Sequence, residues 1–162
     1  MLALRYVSLV TLSVWVGGLL ALGAIATPAL FDVLTARYSG EGRVLAGAVL
    51  GEVLRRFHQV SYTCAGVFLG SLTARAILGP RPRHYAIRAG LGSLMLLATL
   101  YSAVALAPRI ERLAREIGIS PSSLAPDDPR RIAFGRLHTA SIALESVPVV
   151  GGLLLLFWEL KD

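Results

Sequence analysis

The residues most able to do chemistry are His138 and Glu145, seven positions apart in an otherwise apolar stretch, 137–158. In a helix, this spacing places both side chains on one face, two turns apart. A carboxylate in the middle of a bilayer costs about 2.5 to more than 10 kcal/mol unless it is protonated, paired or hydrated. We therefore predict that Glu145 points into the protein and belongs to a polar site within a membrane.

Four apolar stretches are long enough to hold such a site in a bilayer, and they cover 6–31, 57–74, 89–108 and 137–158. Each is close to the roughly 20 residues that cross about 30 Å of hydrocarbon. Backbone polar groups in lipid must be satisfied within the segment, so these stretches are predicted to be helices. We predict one all-α integral membrane domain, 1–162, with spans at approximately 4–30, 55–78, 87–108 and 131–159.

The short turn between spans two and three favours an up-down-up-down four-helix bundle, in which spans two and four are parallel and diagonal. His58 and His138 lie near the starts of these two spans, at similar depth. A bundle diagonal of roughly 13 Å suits two inward imidazoles that share a ligand. A haem iron with two histidine ligands fits this arrangement, as do a cation, a water cluster or a polar headgroup. Tyr62 shares the face of His58, and the alternative is that these groups only make interhelical hydrogen bonds.

The connections predict short interfacial helices and one helix cap. Apolar residues recur at helical spacing in 43–56 and 108–117, which indicates helices at the membrane interface. Asp128 before Pro129 is predicted to be the N-cap of the fourth helix. Pro28 is predicted to end or kink the first helix, and Pro148 to kink the fourth.

Two patterns bear on packing and orientation. Gly66 and Gly70 have small-x-x-x-small spacing, which we interpret as close packing inside the protein, and no internal repeat stands out. The side with the two long connections, 27–56 and 108–136, carries ten arginines, whereas the side with both termini carries five arginines and Lys161. The positive-inside rule therefore favours a cytoplasmic location for the long connections.

Several function classes are disfavoured. The basic residues flank the apolar stretches, as headgroup anchors do, so nucleic-acid binding is not predicted. Cys64 is the only cysteine, which excludes an internal disulfide framework. The chain carries no hydrolase triad, phosphate-binding loop or dinucleotide fingerprint, so an enzyme is the less favoured class.

Short motifs along most of the chain resemble a known family. They are Trp15-Val16-Gly17-Gly18 with Thr27-Pro28-Ala29-Leu30-Phe31, Arg56-Phe57-His58-Gln59-Val60-Ser61, Ala107-Pro108-Arg109, and Phe134-Gly135-Arg136-Leu137-His138-Thr139-Ala140-Ser141. In order and spacing they resemble the transmembrane protein 205 family and its bacterial relatives, a domain of unknown function. The resemblance implies a four-span protein, singles out His58 and His138, and suggests asparagine in relatives where Glu145 stands here.

The Trp-x-Gly-Gly element also resembles, more distantly, four-span modules of copper-resistance membrane proteins and of a membrane protoporphyrinogen oxidase family. Those modules raise the expectation of haem or metal binding. Several of them carry a histidine in the first span, where Leu9 and Leu12 stand in this chain.

Three hypotheses follow for a multi-pass protein of the bacterial inner membrane. The leading one is a polar pocket between the spans, lined by His58, His138, Glu145 and Tyr62, that binds haem, a metal ion or a small cationic ligand. The second is a structural or accessory subunit of a homo-oligomer or larger membrane complex. The third is a small transporter that uses Glu145.

Overall fold

The protein consists of four long helices in a computed structural model that describes residues 2–161. They are α1 (Leu2–Arg37), α2 (Gly42–Leu78), α3 (Tyr85–Ile117) and α4 (Pro129–Lys161). A short 3-10 turn, Pro121–Ser123, precedes α4, and no strand occurs within residues 2–161. All four helices are long and apolar enough to span a membrane, and each contains one of the predicted spans. The predicted all-α membrane fold is therefore confirmed.

The helices form a square bundle. α1 and α3 each pack against both α2 and α4, which leaves α1 diagonal to α3 and α2 diagonal to α4. Leu2, Lys161 and the 79–84 turn lie at one end, here called the terminus end. The connections 38–41 and 118–128 lie at the other end, here called the loop end.

The predicted interfacial helices are helical, but they are continuous with the spans. Residues 43–56 form the first part of α2, and residues 107–117 form the last part of α3. At 1.5 Å per residue the four helices are roughly 50–55 Å long, which exceeds the about 30 Å of a hydrocarbon core. The excess length lies mainly in these extensions at the loop end.

Two π-helical segments interrupt the regular helices, and each ends one residue before an X-Pro pair. They are Leu22–Ala26 in α1, before Thr27 and Pro28, and Ser102–Leu106 in α3. Pro28 therefore does not end the first helix. A proline ring clashes with the carbonyl group one turn earlier and lacks an N–H, and the wider π turn accommodates both effects. The hydroxyl group of Thr27 also donates a 2.8 Å hydrogen bond to the Leu22 carbonyl.

The hydrophobic core fills the bundle between the terminus end and its middle. Its largest fully buried apolar side chains come from all four helices and are Trp15, Phe68, Met95 and Leu155, with Leu12 and Leu72. Glycines let the helices approach here, since a Cβ at Gly152 would collide with the Val16 side chain.

The interpretation of Gly66 and Gly70 as internal packing residues was wrong. Both are exposed, and a Cβ at either would meet no atom within 4 Å. The pattern has the spacing that close packing needs, but the rotation of α2 directs it away from the other three helices.

The predicted cap of the fourth helix is present. Oδ1 of Asp128 accepts a 2.8 Å hydrogen bond from the backbone N–H of Arg130, and the Asp128 carbonyl accepts one from Ile132. The Arg130 guanidinium also donates to both Asp128 oxygens. First the guanidinium and then the backbone N–H hold the pKa of Asp128 below its ordinary value of 3.8.

We expect Asp128→Ala to lower the thermal stability of the detergent-solubilised protein at neutral pH, because α4 loses its N-cap acceptor. The lowered pKa fixes the sign of the pH dependence. The contribution is complete above pH 3.8 and is lost as the pH falls through the lower folded-state value. Melting curves of the variant and the parent should therefore converge in acid. Asp127→Ala is the matched control, and equal effects of the two substitutions at neutral pH would contradict the assignment.

Candidate functional site

The bundle brings His58 and Glu145 together across its diagonal. His58 Nε2 lies 3.1 Å from Glu145 Oε1, so α2 and α4 make contact through these side chains at the bundle axis. The His58 side chain is 6% exposed and that of Glu145 is 21% exposed. The prediction that Glu145 points into the protein is therefore confirmed, and its polar partner is the histidine of the diagonal helix.

Ser102 from α3 is the third member of the site. Its hydroxyl group donates a 2.9 Å hydrogen bond to Glu145 Oε1. Ser102 is buried and is the first residue of the second π-helical segment. Thus Glu145 Oε1 contacts both other groups, and one oxygen joins side chains from three helices.

The second oxygen of Glu145 is buried and has no hydrogen-bond partner among residues 2–161. This arrangement has two chemically sensible protonation states. With the carboxylate ionised, His58 donates from Nε2 and forms an ion pair or a neutral hydrogen bond. With a proton on Oε2, Oε1 remains an acceptor and the site carries no negative charge. A single proton can therefore be gained or lost here without displacing the other hydrogen bonds.

Tyr62 lies against the imidazole, as its i+4 spacing predicts. The two ring centroids are 6.4 Å apart, and the ring planes are inclined by 21°. The tyrosine ring covers His58 on the side that leads towards the hydrophobic core, and it is itself half-buried.

His138 does not converge with His58. It is exposed on α4, where its ring stacks on Phe134 with centroids 6.1 Å apart. The physical reason is that His138 lies two turns nearer the loop end than Glu145, where α4 packs mainly against the extension of α3 and the 3-10 turn. Because His58 contacts Glu145, the two histidines also differ in depth by about two turns, and the prediction that they lie at similar depth was wrong.

A haem between the two histidines does not fit this arrangement. The Nε2 atom of His58 is already engaged by Glu145, and the bundle interior beyond the site is filled by fully buried side chains such as Trp15 and Phe68. Within residues 2–161, no group of three or more His, Cys, Asp or Glu residues could hold a metal ion.

A second buried polar cluster lies at the terminus end and was not anticipated. Glu159 of α4 is fully buried, with Oε2 2.7 Å from Arg75 of α2 and Oε1 3.3 Å from Arg88 of α3. Arg88 also donates to the carbonyl of Trp158, and Arg5 of α1 donates to that of Glu159. These two guanidinium groups satisfy carbonyls in the last turn of α4, where cations also complement the helix dipole.

The sequence contains the charged residues of this cluster, but it does not show whether they point inward or towards the headgroups. Arg75, Arg88 and Glu159 lie at corresponding ends of three spans, where charged residues usually reach the headgroups. A carboxylate at the same level as two arginines indicates an ion-pair cluster. However, only the rotation of each helix distinguishes an inward charge from a headgroup anchor.

Comparison with known proteins places the chain in context. Residues 10–118 match the model of one family, described as a domain of unknown function (DUF4149). The match covers about two thirds of the chain and includes His58 and Ser102, but it ends before α4 and Glu145. Neither a curated protein nor a solved structure matches the chain.

Proposed function

The chain belongs to the DUF4149 family, and we propose that this integral membrane protein binds and releases a proton at an intramembrane site formed by Glu145, His58 and Ser102. One observation carries the proposal. Glu145 Oε1 is held by His58 and Ser102, while its buried Oε2 has no partner within residues 2–161.

A carboxylate that serves only helix packing gains from having both oxygens hydrogen-bonded, because an unsatisfied buried acceptor costs about 1–3 kcal/mol. Leaving one oxygen unbonded beside an imidazole retains a place for a proton. Charge-changing groups at membrane depth are commonly parts of proton or ion pathways. These considerations favour a proton over haem or a large cation.

We expect Glu145→Gln to remove one titrating carboxyl group from the infrared difference spectrum recorded across a pH titration in lipid. Glutamine has nearly the same shape as glutamate and keeps an acceptor for Ser102, so the bundle should remain folded. In Ser102→Ala the same carboxyl band should persist at a shifted frequency, because Oε1 loses a hydrogen bond. His58→Gln should change the pH at which the band appears, because the neighbouring charge is removed.

Glu52→Gln is the control for these spectra. Glu52 is also a glutamate on a helix, but its ion pairs with Arg55 and Arg56 lie on the exposed surface of α2. Its replacement should leave the band of Glu145 unchanged. The proposal fails if the spectra of the parent and of Glu145→Gln are identical between mild acid and alkaline pH, because Glu145 then does not exchange a proton.

One extension of the proposal concerns what the proton does, and one alternative needs no proton. A small transporter that couples solute movement to protonation of Glu145 would lose its pH-dependent uptake in Glu145→Gln proteoliposomes. The alternative is an accessory subunit of a homo-oligomer or larger complex, whose polar groups only hold the helices together. In that case Glu145→Gln would change the melting temperature but leave the infrared spectra unchanged. We favour the transporter, because Glu145 Oε2 has no hydrogen-bond partner within residues 2–161 and so does not contribute to helix packing.

We further propose that the chain is similar to the transmembrane protein 205 family and lies in a bacterial inner membrane, with the loop end in the cytoplasm. Support comes from the order of the motifs around His58 and His138 and from the ten arginines near the loop end. The orientation is tested by fusing a reporter enzyme that is active only in the periplasm to either terminus. We expect both fusions to be active, because the terminus end should face the periplasm.

A further inference from the structure

Several features of the two helical hairpins recur with an offset of 80 residues, which the sequence alone did not reveal. The π-helical segments Leu22–Ala26 and Ser102–Leu106 are separated by this offset. So are Pro28 and Pro108, and so are the two Arg-x-His-x-x-Ser motifs that contain His58 and His138. α1 is diagonal to α3 and α2 is diagonal to α4. However, Glu145 rather than His138 lies at the level of His58, so α4 is displaced along the bundle by about two turns from a two-fold arrangement of the halves.

Both π-helical segments lie at the level of the candidate site. Ser102 begins the second segment and contacts Glu145 directly. For the first segment, the close approach of Val16 and Gly152 gives the register of α1 against α4. Leu22 is six residues beyond Val16, and Glu145 is seven residues before Gly152. These distances are about 9 and 10 Å along the two antiparallel helices.

The bundle is firmly held on the terminus side of this level. The whole hydrophobic core cluster lies there, together with the buried Ser8–Ser71 hydrogen bond of 2.7 Å and the cluster around Glu159. On the loop side, the buried apolar side chains within residues 2–161 are only Ala46, Leu106 and Ile117. Regions with few buried apolar contacts open at low free energy, so opening is expected at the loop end.

The loop end consists of two arms, and their helices differ. The first arm, residues 27–56, contains part of α2, which runs without proline from Gly42 to Leu78. At the base of the second arm, residues 107–144, both helices carry a feature that permits bending, the π-helical segment in α3 and Pro148 within α4. The first arm has a π-helical segment at its base in α1 only. Helix kinks and hinges concentrate at such positions. Between the arm tips, Arg43 donates a 3.3 Å hydrogen bond to Ser122.

From these observations we infer that the second arm swings about Ser102–Leu106 and Pro148, moves Glu145 away from His58, and exposes the site to water at the loop end only. This inference rests on the proposed proton site and adds to it the side of access and the moving part. Glu145 and Ser102 lie at the hinge itself, so a small rotation of the arm changes their contacts first. The core and the Glu159 cluster keep the terminus end closed during the motion.

The experiment joins the two arms chemically and measures access to Glu145. In a Cys64→Ala background, Arg43→Cys and Ser122→Cys are linked with a short bis-methanethiosulfonate, which dithiothreitol cleaves. A water-soluble carbodiimide with glycine ethyl ester then labels accessible carboxyl groups, and peptide mass spectrometry quantifies Glu145. Thr35→Cys with Arg43→Cys is the matched control, because that link lies within the first arm.

We expect the link between the arms to slow the labelling of Glu145 by on the order of tenfold, since reaction requires a state that is only partly populated. Reduction should restore the rate, and the control link should leave it unchanged. Glu159, on the same helix but in the closed end, should stay unlabelled throughout. Equal labelling of Glu145 in linked and reduced protein would overturn the moving arm, whereas labelling of Glu159 at the rate of Glu145 would overturn one-sided access.

A spin-label measurement keeps the two proposals distinguishable. Labels at Glu41 and Glu116, one on each arm, should report a second, longer distance in the parent that is absent after linking. A single distance would disprove the swing even if infrared spectra confirm that Glu145 binds a proton. Conversely, two distances without a titrating Glu145 band would retain the motion and remove the proton site.

Discussion

Glu159→Gln is expected to destabilise the folded protein by about 3–5 kcal/mol, the usual cost of removing one member of a buried ion pair. The carboxylate is fully buried and accepts hydrogen bonds from Arg75 and Arg88, which are themselves 7% and 1% exposed. A neutral amide leaves two guanidinium groups in a medium of low polarity without their shared counter-charge. Thermal and chemical denaturation in detergent would measure the loss.

Glu116→Gln is the matched control, because Glu116 is exposed near the end of α3 and should change stability little. A second comparison tests the cause. Replacing the three charged residues together, as Arg75→Met, Arg88→Met and Glu159→Leu, removes the charges along with their attraction. Buried ion clusters exchanged for apolar groups are often no less stable, so the triple variant should melt above Glu159→Gln. If the single variant melts with the parent, the cluster does not stabilise the bundle.

Gly152→Ala is expected to destabilise the bundle by about 1–3 kcal/mol through overpacking. The added methyl group collides with the Val16 side chain and approaches Met95 Cε to 3.3 Å. Methionine can move aside, but valine in a helix has essentially one accessible rotamer. The collision therefore has to be relieved by separating α1 from α4.

The collision predicts a specific suppressor. Val16→Ala alone should destabilise, since it removes buried apolar volume, but it vacates the space that the new methyl group needs. The double variant should therefore be more stable than the sum of the single effects, as expected for residues in contact. Gly70→Ala is the control, because a Cβ there meets open space and alanine favours the helix. Additive effects in the double variant would show that the two residues do not share this contact.

The helices were predictable because the apolar stretches are long enough to cross a bilayer, where the backbone polar groups have to be hydrogen-bonded within the segment. The four stretches and the Asp128 cap needed only local information. The inward direction of Glu145 was equally predictable, since a carboxylate facing lipid is penalised heavily. Contacts between helices were harder, because each depends on the rotation of two helices about their axes.

His138 and Gly66 illustrate that difficulty. Histidine at the start of a span is compatible with an inward ligand or an exposed side chain. His138 is exposed because few residues pack against α4 at the loop end. The Gly66 and Gly70 pair was compatible with either face of α2. The same uncertainty concealed the cluster at Glu159, whose members look like headgroup anchors until their helices are placed side by side.

The recurrence of features at an offset of 80 residues was difficult to see in the sequence for a different reason. Few identical residues survive between the halves, mainly the prolines and the Arg-x-His-x-x-Ser motifs. The two π-helical segments show the offset more clearly than the sequence does. The halves also differ in chemistry, because the residue 80 positions before Glu145 is the apolar Ala65.

The depth of Glu145 has an electrical consequence. It lies nine residues inside the exposed Arg136, or about 13 Å along the helix, in a hydrocarbon layer of roughly 30 Å. A proton that arrives from the loop end thus crosses roughly two fifths of the transmembrane voltage drop. Moving one elementary charge across the whole membrane changes its free energy by about 2.3 kcal/mol per 100 mV. The free energy of proton binding at the proposed site would therefore change by about 1 kcal/mol for each 100 mV. The membrane potential, as well as the pH, would then set how often the carboxyl group is charged.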